Sequence, residues 1–184
     1  SMTSTNTADV KATVEQIHRL EKAGCEIVRV AVPDDDSADV LGSIRKEIGI
    51  PMVADIHFHY KLALKAIEQG MECIRINPGN IGGIERLKQV VRAAQEARVP
   101  IRVGVNSGSL EEDILQKYQF KVTAPALVES AIRNVRILEN VGFQDIKISV
   151  KSTDVLTMID AYRQLSSAVD YPLHPTFSDP DRLL

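Results

Sequence analysis

Cationic and amide side chains in this chain stand where its apolar runs end. The runs are IVRVAVP (27–33), MVADIHF (52–58), CIRINPGN (73–80), IRVGVNSGS (101–109) and IKISVKS (146–152). Guanidinium and ammonium groups bind phosphate oxygens, and arginine does so with two parallel hydrogen bonds. The residue types therefore predict a pocket for a small anion, although the formal net charge of the whole chain is −3.

Strand geometry decides which of these polar residues point the same way, because side chains alternate between the two faces of a strand. The matching sets are Asp55 with His57, Arg75 with Asn77, Arg29 with Ala31, Arg102 with Gly104 and Asn106, and Lys147 with Ser149 and Lys151. If these faces look into one interior, their cations converge and repel one another. A bound diphosphate would offset the cost of burying them without partners.

Asp55 and His57 leave two interpretations open. They can form an acid–base or orienting pair, since imidazole titrates near neutral pH. Alternatively, Asp55 only neutralises a neighbouring arginine, within an internal network of salt bridges. Asp55 is the only acid on these faces, so such pairing cannot absorb every cation.

Other chemistry is open for the same strand ends. The His57-x-His59 pair suits zinc only if a third ligand comes from another strand end, for which His174 is the one candidate. Lys151 can form a Schiff base if nearby cations lower its pKa, which would make the protein a lyase. The glycine-rich loops after Asn77 and Asn106 can cradle phosphate through backbone N–H groups, or can be ordinary turns.

Helical patterns separate the apolar runs, which predicts a parallel sheet with covering helices and a site at the carboxyl ends of its strands. We predict strands at 27–32, 51–57, 73–77, 101–105, 145–150 and 171–174, and helices at 9–23, 37–48, 59–69, 83–97, 124–140 and 153–168. Residues 106–122 read as a long loop. About six strands are too few for a closed eight-stranded barrel, so an open sheet and a fragment both fit the pattern.

The composition is that of a soluble globular protein of one domain, or of part of a larger one, with 44% hydrophobic and 26% charged residues. Aromatic residues are scarce, so the core must consist of Val, Ile, Leu and Ala. The charge argues against a broad nucleic-acid surface, and no run predicts a membrane span or a signal peptide. We therefore expect a cytoplasmic protein.

The two cysteines, Cys25 and Cys73, stand at the amino ends of predicted strands, opposite the polar ends. We expect two buried thiols there rather than a disulfide or metal pair. Two cysteines cannot complete the usual four-thiolate shell of an iron–sulfur cluster.

Five ordered motifs carry a resemblance to a known family. AGCEIVRVAVP, VADIHF, IRINPGNIG, IRVGVNSGSLE and KISVKSTD resemble, in this order, the bacterial 4-hydroxy-3-methylbut-2-enyl diphosphate synthases. The resemblance implies a TIM barrel followed by a separate [4Fe–4S] domain. It also implies a reaction of the non-mevalonate isoprenoid pathway, in which 2-C-methyl-D-erythritol 2,4-cyclodiphosphate is reduced to a linear allylic diphosphate.

The resemblance also assigns roles to individual residues. Asp55 and His57 would be catalytic. The substrate-binding residues would be Arg29, Arg75, Asn77, Arg102, Asn106 and Lys151. It further implies a flavodoxin or ferredoxin as electron donor and a homo-oligomer, with neither nucleic acid nor membrane as a partner.

The chain departs from the family pattern at both ends. We expect residues 1–174 to be a partial, TIM-barrel-like substrate-binding domain whose first strand is missing. Residues 175–184, PTFSDPDRLL, do not match the family, and His59 replaces an acidic or amide residue. The cluster domain with its cysteine ligands is absent, so we expect no cofactor bound to this chain and no turnover by it alone. An anion-binding or assembly module without enzymatic activity is the remaining alternative, because missing strands leave sheet edges exposed.

Overall fold

The computed structural model describes residues 1–175, in which strands and helices alternate. It divides into two compact units, Ser1–Ile101 and a second from Arg102 onward. The predicted α/β class with covering helices is confirmed, and the described residues contain five strands. None of the helices in residues 1–175 is both long and apolar enough to cross a bilayer.

The first unit contains three parallel strands that pair in chain order. Its elements are α1 (Val10–Lys22), β1 (Val28–Ala31), α2 (Asp35–Asp39), α3 (Leu41–Glu47), β2 (Met52–Asp55), α4 (Tyr60–Glu68), β3 (Cys73–Ile76), a 3₁₀ turn at Pro78–Asn80, and α5 (Ile84–Ala97). The register places Ala31 beside Asp55 and Asp55 beside Arg75. Residues near the carboxyl ends of all three strands are therefore neighbours.

The second unit contains the remaining two strands. Its elements are β4 (Ile101–Asn106, whose first residue closes the first unit), a 3₁₀ turn at Ser107–Ser109, α6 (Glu112–Lys117), α7 (Ala124–Asn140), β5 (Ile146–Lys151) and α8 (Val155–Ala168). β4 and β5 are neighbours in the sheet. The long helix α7 buries one face, which includes Leu127, Val135 and Leu138.

Burial on both faces of the sheet explains the composition of the strands. Every residue of β2 and of β3 is buried, and Val28, Val30 and Ile74 are fully buried. Parallel sheets covered by helices select such continuous aliphatic runs. A polar side chain tolerated in such a strand needs a partner, as Asp55 and Arg75 demonstrate below.

The predicted helix limits follow local signals. The Thr123 hydroxyl accepts a hydrogen bond from the backbone N–H of Ala126 at 3.3 Å, as a helix cap does. Gly70 and Gly142 have φ of +82° and +80°, which a glycine adopts without steric cost after the end of a helix. The helices predicted at 9–23, 59–69, 83–97, 124–140 and 153–168 are all present within two residues or so of those limits.

One helix prediction and one loop prediction were wrong in detail. The single helix expected at 37–48 is divided at Val40 into α2 and α3. α2 has the sequence DDSAD, and aspartate and serine favour capping over helix interiors, so it makes little more than one turn. The loop expected at 106–122 contains α6, whose signals are acidic Glu112 and Asp113 in the first turn and fully buried Ile114.

The expectation of a sixth strand at 171–174 was also wrong. These residues make an isolated parallel bridge between Ile148 and Leu173 instead of a strand. Proline at position 172 offers no N–H for a ladder. The carbonyl of Pro172 accepts from the N–H of Ile148 on β5, and the N–H of His174 donates to the carbonyl of Ile148. The tail expected at 175–184 lies, from residue 176 onward, outside the described residues.

Neither cysteine is in a disulfide, and only one of the two expected buried thiols is buried. Cys73 is 4% exposed at the start of β3. Cys25 is half-buried because it lies in the turn before β1, where its thiol donates to the carbonyl of Ile27 at 3.1 Å.

Tyr162 on α8 ties down the end of β5. Its hydroxyl accepts from the backbone N–H of Val150 at 2.8 Å and donates to the carbonyl of His174 at 2.8 Å. We expect Tyr162→Phe to lower the free energy of unfolding by about 1–2 kcal/mol, because it leaves the Val150 N–H without this partner. Urea titration measures the change.

Tyr171→Phe is the matched control. The Tyr171 hydroxyl donates to Glu139 at 2.9 Å in an exposed position, so its loss should change stability by less than about 0.5 kcal/mol. Equal effects of the two substitutions would contradict the role assigned to Tyr162.

Candidate functional site

The carboxyl ends of β1, β2 and β3 bring a buried carboxylate and its cationic neighbours together. Asp55, the last residue of β2, is 4% exposed. The Arg75 side chain, on the adjacent strand, is equally buried, and its Nη1 donates to Asp55 Oδ1 at 2.9 Å. Because the two residues are register partners on one face, the contact follows directly from the pairing of β2 with β3.

Arg29 reaches the same carboxylate from the other side. Its Nε lies 3.5 Å from Asp55 Oδ2, and its side chain is 16% exposed. The guanidinium Nη2 also donates to the thioether sulfur of Met2 at 3.1 Å. Asp55 is thus shared by arginines from both neighbouring strands.

His57 completes this group at its exposed side. Its Nε2 lies 3.4 Å from Asp55 Oδ1, and Arg75 Nη1 lies 3.2 Å from the same ring nitrogen. The imidazole is 51% exposed, in contrast with the two buried residues that it contacts. His57 is therefore the member of the group that a ligand in solution meets first.

The ionisation of Asp55 follows from these contacts. Burial raises the pKa of its carboxyl, but the hydrogen bond with His57 and the charges of Arg75 and Arg29 outweigh burial and hold the pKa below its usual range. Burial lowers the pKa of Arg29. The negative charge of Asp55 opposes this effect, and the positive charge of Arg75 adds to it. Asp55 is an anion at neutral pH, so it can accept hydrogen bonds and orient cations but is not a proton donor there.

Asn77 shapes the loop that follows β3. It is 8% exposed, and its Oδ1 accepts from the N–H of Gly79 at 3.1 Å. This side-chain-to-backbone bond folds Pro78–Asn80 into a 3₁₀ turn. The sequence left open whether this glycine-rich segment is an ordinary turn or a phosphate cradle, and the turn geometry is compatible with both.

The other predicted residues belong to the second unit. Arg102 is 4% exposed in β4, Asn106 is half-buried at its end, and Lys151 is half-buried at the end of β5. Lys147 and Ser149 precede Lys151 on the same face by strand parity. The convergence of all five cations in a single pocket stays a prediction, as does the Schiff-base role of Lys151.

The histidine pair does not gain a third ligand near it. Among residues 1–175, no three His, Cys, Asp or Glu side chains form a group that could hold a metal ion. His59 instead stands immediately before α4, as its amino-terminal flanking residue.

Supporting contacts around Arg29 were not anticipated from the sequence. The N–H of Arg29 donates to the carbonyl of Ser1 at 2.8 Å, and its carbonyl accepts from Thr3 at 3.0 Å, so Ser1 to Thr3 run beside β1. The Thr7 hydroxyl donates to the carbonyl of Ala31 at 2.7 Å. These residues give no periodic signal, and a threonine in a polar segment does not by itself indicate burial.

Comparison with known proteins identifies the sequence family of this chain. A family model described as the GcpE TIM-barrel domain matches residues 1–178. The chain is 60% identical over 174 residues to a 4-hydroxy-3-methylbut-2-en-1-yl diphosphate synthase (flavodoxin) of Anoxybacillus flavithermus, covering 95% of this chain and 48% of that protein. The corresponding enzyme of Thermodesulfovibrio yellowstonii is 56% identical, with 95% of this chain and 50% of that protein covered. The chain thus spans about half the length of these curated relatives.

Solved structures of low sequence identity share the fold. A dihydropteroate synthase of Xanthomonas albilineans has a TM-score of 0.61 at 14% identity, covering 95% of this chain and 67% of that one. The carboxyl transferase domain of Rhizobium etli pyruvate carboxylase has a TM-score of 0.63 at 14% identity, covering 96% and 32%. At such identities the likeness concerns the fold alone.

Removing the Asp55 charge should destabilise the protein strongly. We expect Asp55→Asn to lower the free energy of unfolding by about 3–5 kcal/mol, because it leaves buried Arg75 and nearby Arg29 without their shared anion. Urea titration at neutral pH measures this. Asp35→Asn is the control, since Asp35 is an exposed partner of Lys65, which also contacts Asp39; a comparable loss there would contradict the importance of burial.

The same carboxylate predicts a pH dependence. The folded-state pKa of Asp55 is lowered, so its stabilising contribution is complete above the unfolded-state pKa of about 3.9 and is lost as the pH falls through the folded-state pKa. The stability difference between the wild type and Asp55→Asn should therefore be constant from pH 7 to about 5 and narrow at lower pH. A difference that widened on acidification would have the wrong sign.

Proposed function

Because the chain belongs to the GcpE TIM-barrel family, we propose that it is the substrate-binding barrel portion of a 4-hydroxy-3-methylbut-2-enyl diphosphate synthase. The complete synthase would convert 2-C-methyl-D-erythritol 2,4-cyclodiphosphate reductively into the linear allylic diphosphate of the non-mevalonate isoprenoid pathway. The observation that carries the proposal is the sharing of one buried carboxylate, Asp55, by Arg29 and Arg75.

Charge supports a phosphorylated ligand at this group. Two guanidinium groups face one carboxylate, and each is largely withdrawn from water. A diphosphate brings additional negative charge and several acceptor oxygens, which suit the planar donor pattern of arginine. Asn77, Arg102, Asn106 and Lys151 are the other substrate-binding residues of this proposal, as the family resemblance implies.

Asp55 and His57 take different parts in the proposed chemistry. The lowered pKa of Asp55 keeps it ionised, so it orients the arginines and can accept hydrogen bonds from substrate hydroxyls. Proton transfer falls to His57, since imidazole is the side chain that enzymes use most often for this purpose and His57 is half exposed beside Asp55. Both residues act on a substrate that the cations hold in place.

The reductive step requires an iron–sulfur cluster, and the cysteines of this chain do not supply a ligand set for one. A [4Fe–4S] cluster is commonly held by four cysteine thiolates, whereas the sequence contains two cysteines, of which Cys73 is buried and Cys25 contacts Ile27. The cluster and its electrons therefore belong, in this proposal, to a part of the synthase outside this sequence. The donor is a flavodoxin, as the names of the relatives state for those enzymes, or a ferredoxin.

The same proposal covers the assembly and location of the protein. We place the complete synthase in the cytoplasm as a homo-oligomer that binds neither nucleic acid nor membranes. The chain alone should bind the cyclic diphosphate and should not turn it over.

Isothermal titration calorimetry with the cyclodiphosphate tests the proposal. We expect saturable binding to the folded chain, and we expect Arg29→Gln to weaken it about tenfold or more, the worth of one charge-assisted hydrogen bond. Arg29 suits this test because it is less buried than Arg75. Reduction of substrate by the chain alone would contradict the division of labour proposed here.

Arg136→Gln is the matched control, since Arg136 is an exposed arginine on α7; it should bind like the wild type. Absence of heat with a wild-type sample whose folding is verified by circular dichroism would refute the proposed ligand. Binding of inorganic phosphate with the same affinity as the cyclodiphosphate would reduce the site to a general anion site.

A further inference from the structure

A second carboxylate contact, which is half-buried, lies at the far end of the loop that follows β4. The carboxylate of Glu111 accepts from the Ser130 hydroxyl at 2.6 Å and from the Asn134 side-chain amide at 3.0 Å, one donor to each oxygen. Ser130 and Asn134 stand four residues apart on one face of α7, where they are 1% and 0% exposed. Two donors on a buried face of α7 therefore hold the Glu111 carboxylate, and we call Ser130 and Asn134 the α7 donor pair.

Burial of the α7 donor pair costs free energy, because the inner face of the helix is otherwise apolar. Leu127, Ala131 and Val135 are buried on α7 around the two polar residues. Burying a hydroxyl and an amide is unfavourable unless their hydrogen bonds are made. The Asn134 amide also donates to the carbonyl of Ser130 at 2.9 Å, so the two residues and Glu111 form one connected network.

Glu111 closes the far end of the turn that begins at Asn106. Ser107–Ser109 form the 3₁₀ turn, with Gly108 and Ser109 exposed. Leu110 is 7% exposed. Glu111 follows it, and its backbone carbonyl accepts the first hydrogen bond of α6, from the N–H of Leu115 at 3.0 Å. A short glycine-containing segment is thus fixed by β4 at one end and by the α7 donor pair at the other.

We propose that Glu111 is a positioning residue that, through Ser130 and Asn134, holds the turn after β4 in the conformation that presents Asn106 and the backbone N–H groups of the turn to a phosphate of the ligand. The inference rests on the proposed function for the identity of the ligand. The tether itself is independent of that function, because it exists between residues of the second unit without any ligand. A loop ordered in advance loses less conformational entropy on binding.

Hydrogen–deuterium exchange of the free protein tests the tether. In Glu111→Gln the new amide places an NH₂ group where one of the two donors of α7 points. We expect exchange at residues 107–110 to become about tenfold faster or more, the loss of a charge-assisted hydrogen bond. Glu112→Gln is the matched control. It removes the same charge one residue later, where the exposed carboxylate accepts a hydrogen bond from the Gln116 side-chain amide at 3.3 Å, and it should leave exchange unchanged.

Calorimetry with the cyclodiphosphate and with inorganic pyrophosphate tests the positioning role. We expect Glu111→Gln to bind about twofold to tenfold more weakly than the wild type, and Glu112→Gln to bind normally. Slow exchange in the core of α7 should be retained, whereas a merely structural role would accelerate it throughout the helix and leave affinity unchanged. Normal exchange at 107–110 in Glu111→Gln, or fast exchange with unchanged affinity, would overturn the inference.

Ser130→Ala keeps the test decisive if Glu111→Gln does not fold. It removes one of the two hydrogen bonds to Glu111 and leaves the one from Asn134, so we expect smaller changes in the same direction. The double variant should be no worse than Glu111→Gln alone, since both act on one contact; additive losses would contradict it. A wild type that binds neither ligand would refute the proposed function and the positioning role, while exchange would still report on the tether.

Discussion

The buried ion pair between Asp55 and Arg75 is the interaction on which the first unit depends. Both side chains are 4% exposed and are bonded at 2.9 Å. Withdrawing either charge from water costs several kcal/mol, so neither is tolerable without the other. Their strands must therefore keep a register in which the two residues stay adjacent, and that register in turn fixes the position of Arg29 and His57.

The pairing also separates the tasks of the polar residues. Asp55 forms ion pairs with the two arginines, which help to keep it ionised, so it is not a proton donor near neutral pH. His57 shares the hydrogen-bonding network but is half exposed, so it keeps access to a ligand. Of the two interpretations that the sequence left open for Asp55, its contacts with Arg29 and Arg75 agree with the one in which it neutralises a neighbouring arginine, and its catalytic role stays a prediction.

The same physical arrangement recurs in the second unit with a different purpose. Glu111 is bound by neutral donors, Ser130 and Asn134, from a helix, whereas Asp55 is bound by cations from neighbouring strands. Asp55 links the end of β2 to the neighbouring strands, whereas Glu111 links the start of α6 to α7. In the positioning role that we propose for Glu111, α7 would contribute to the site by fixing the turn after β4, in addition to covering the sheet.

Sequence alone determined the alternation of strands and helices, the shared face of Asp55 and Arg75 on neighbouring strands, and most helix limits. Hydrophobic periodicity and capping residues act over a few neighbours, so they can be read from the sequence. It did not reveal α6, the division at Val40, or the reduction of the sixth strand to one bridge. Nor did it give the partners of Asp55 and Glu111, which lie some twenty residues away along the chain. Those contacts depend on strand register and helix packing, which only the tertiary structure decides, since parity names a face but not the neighbour across it.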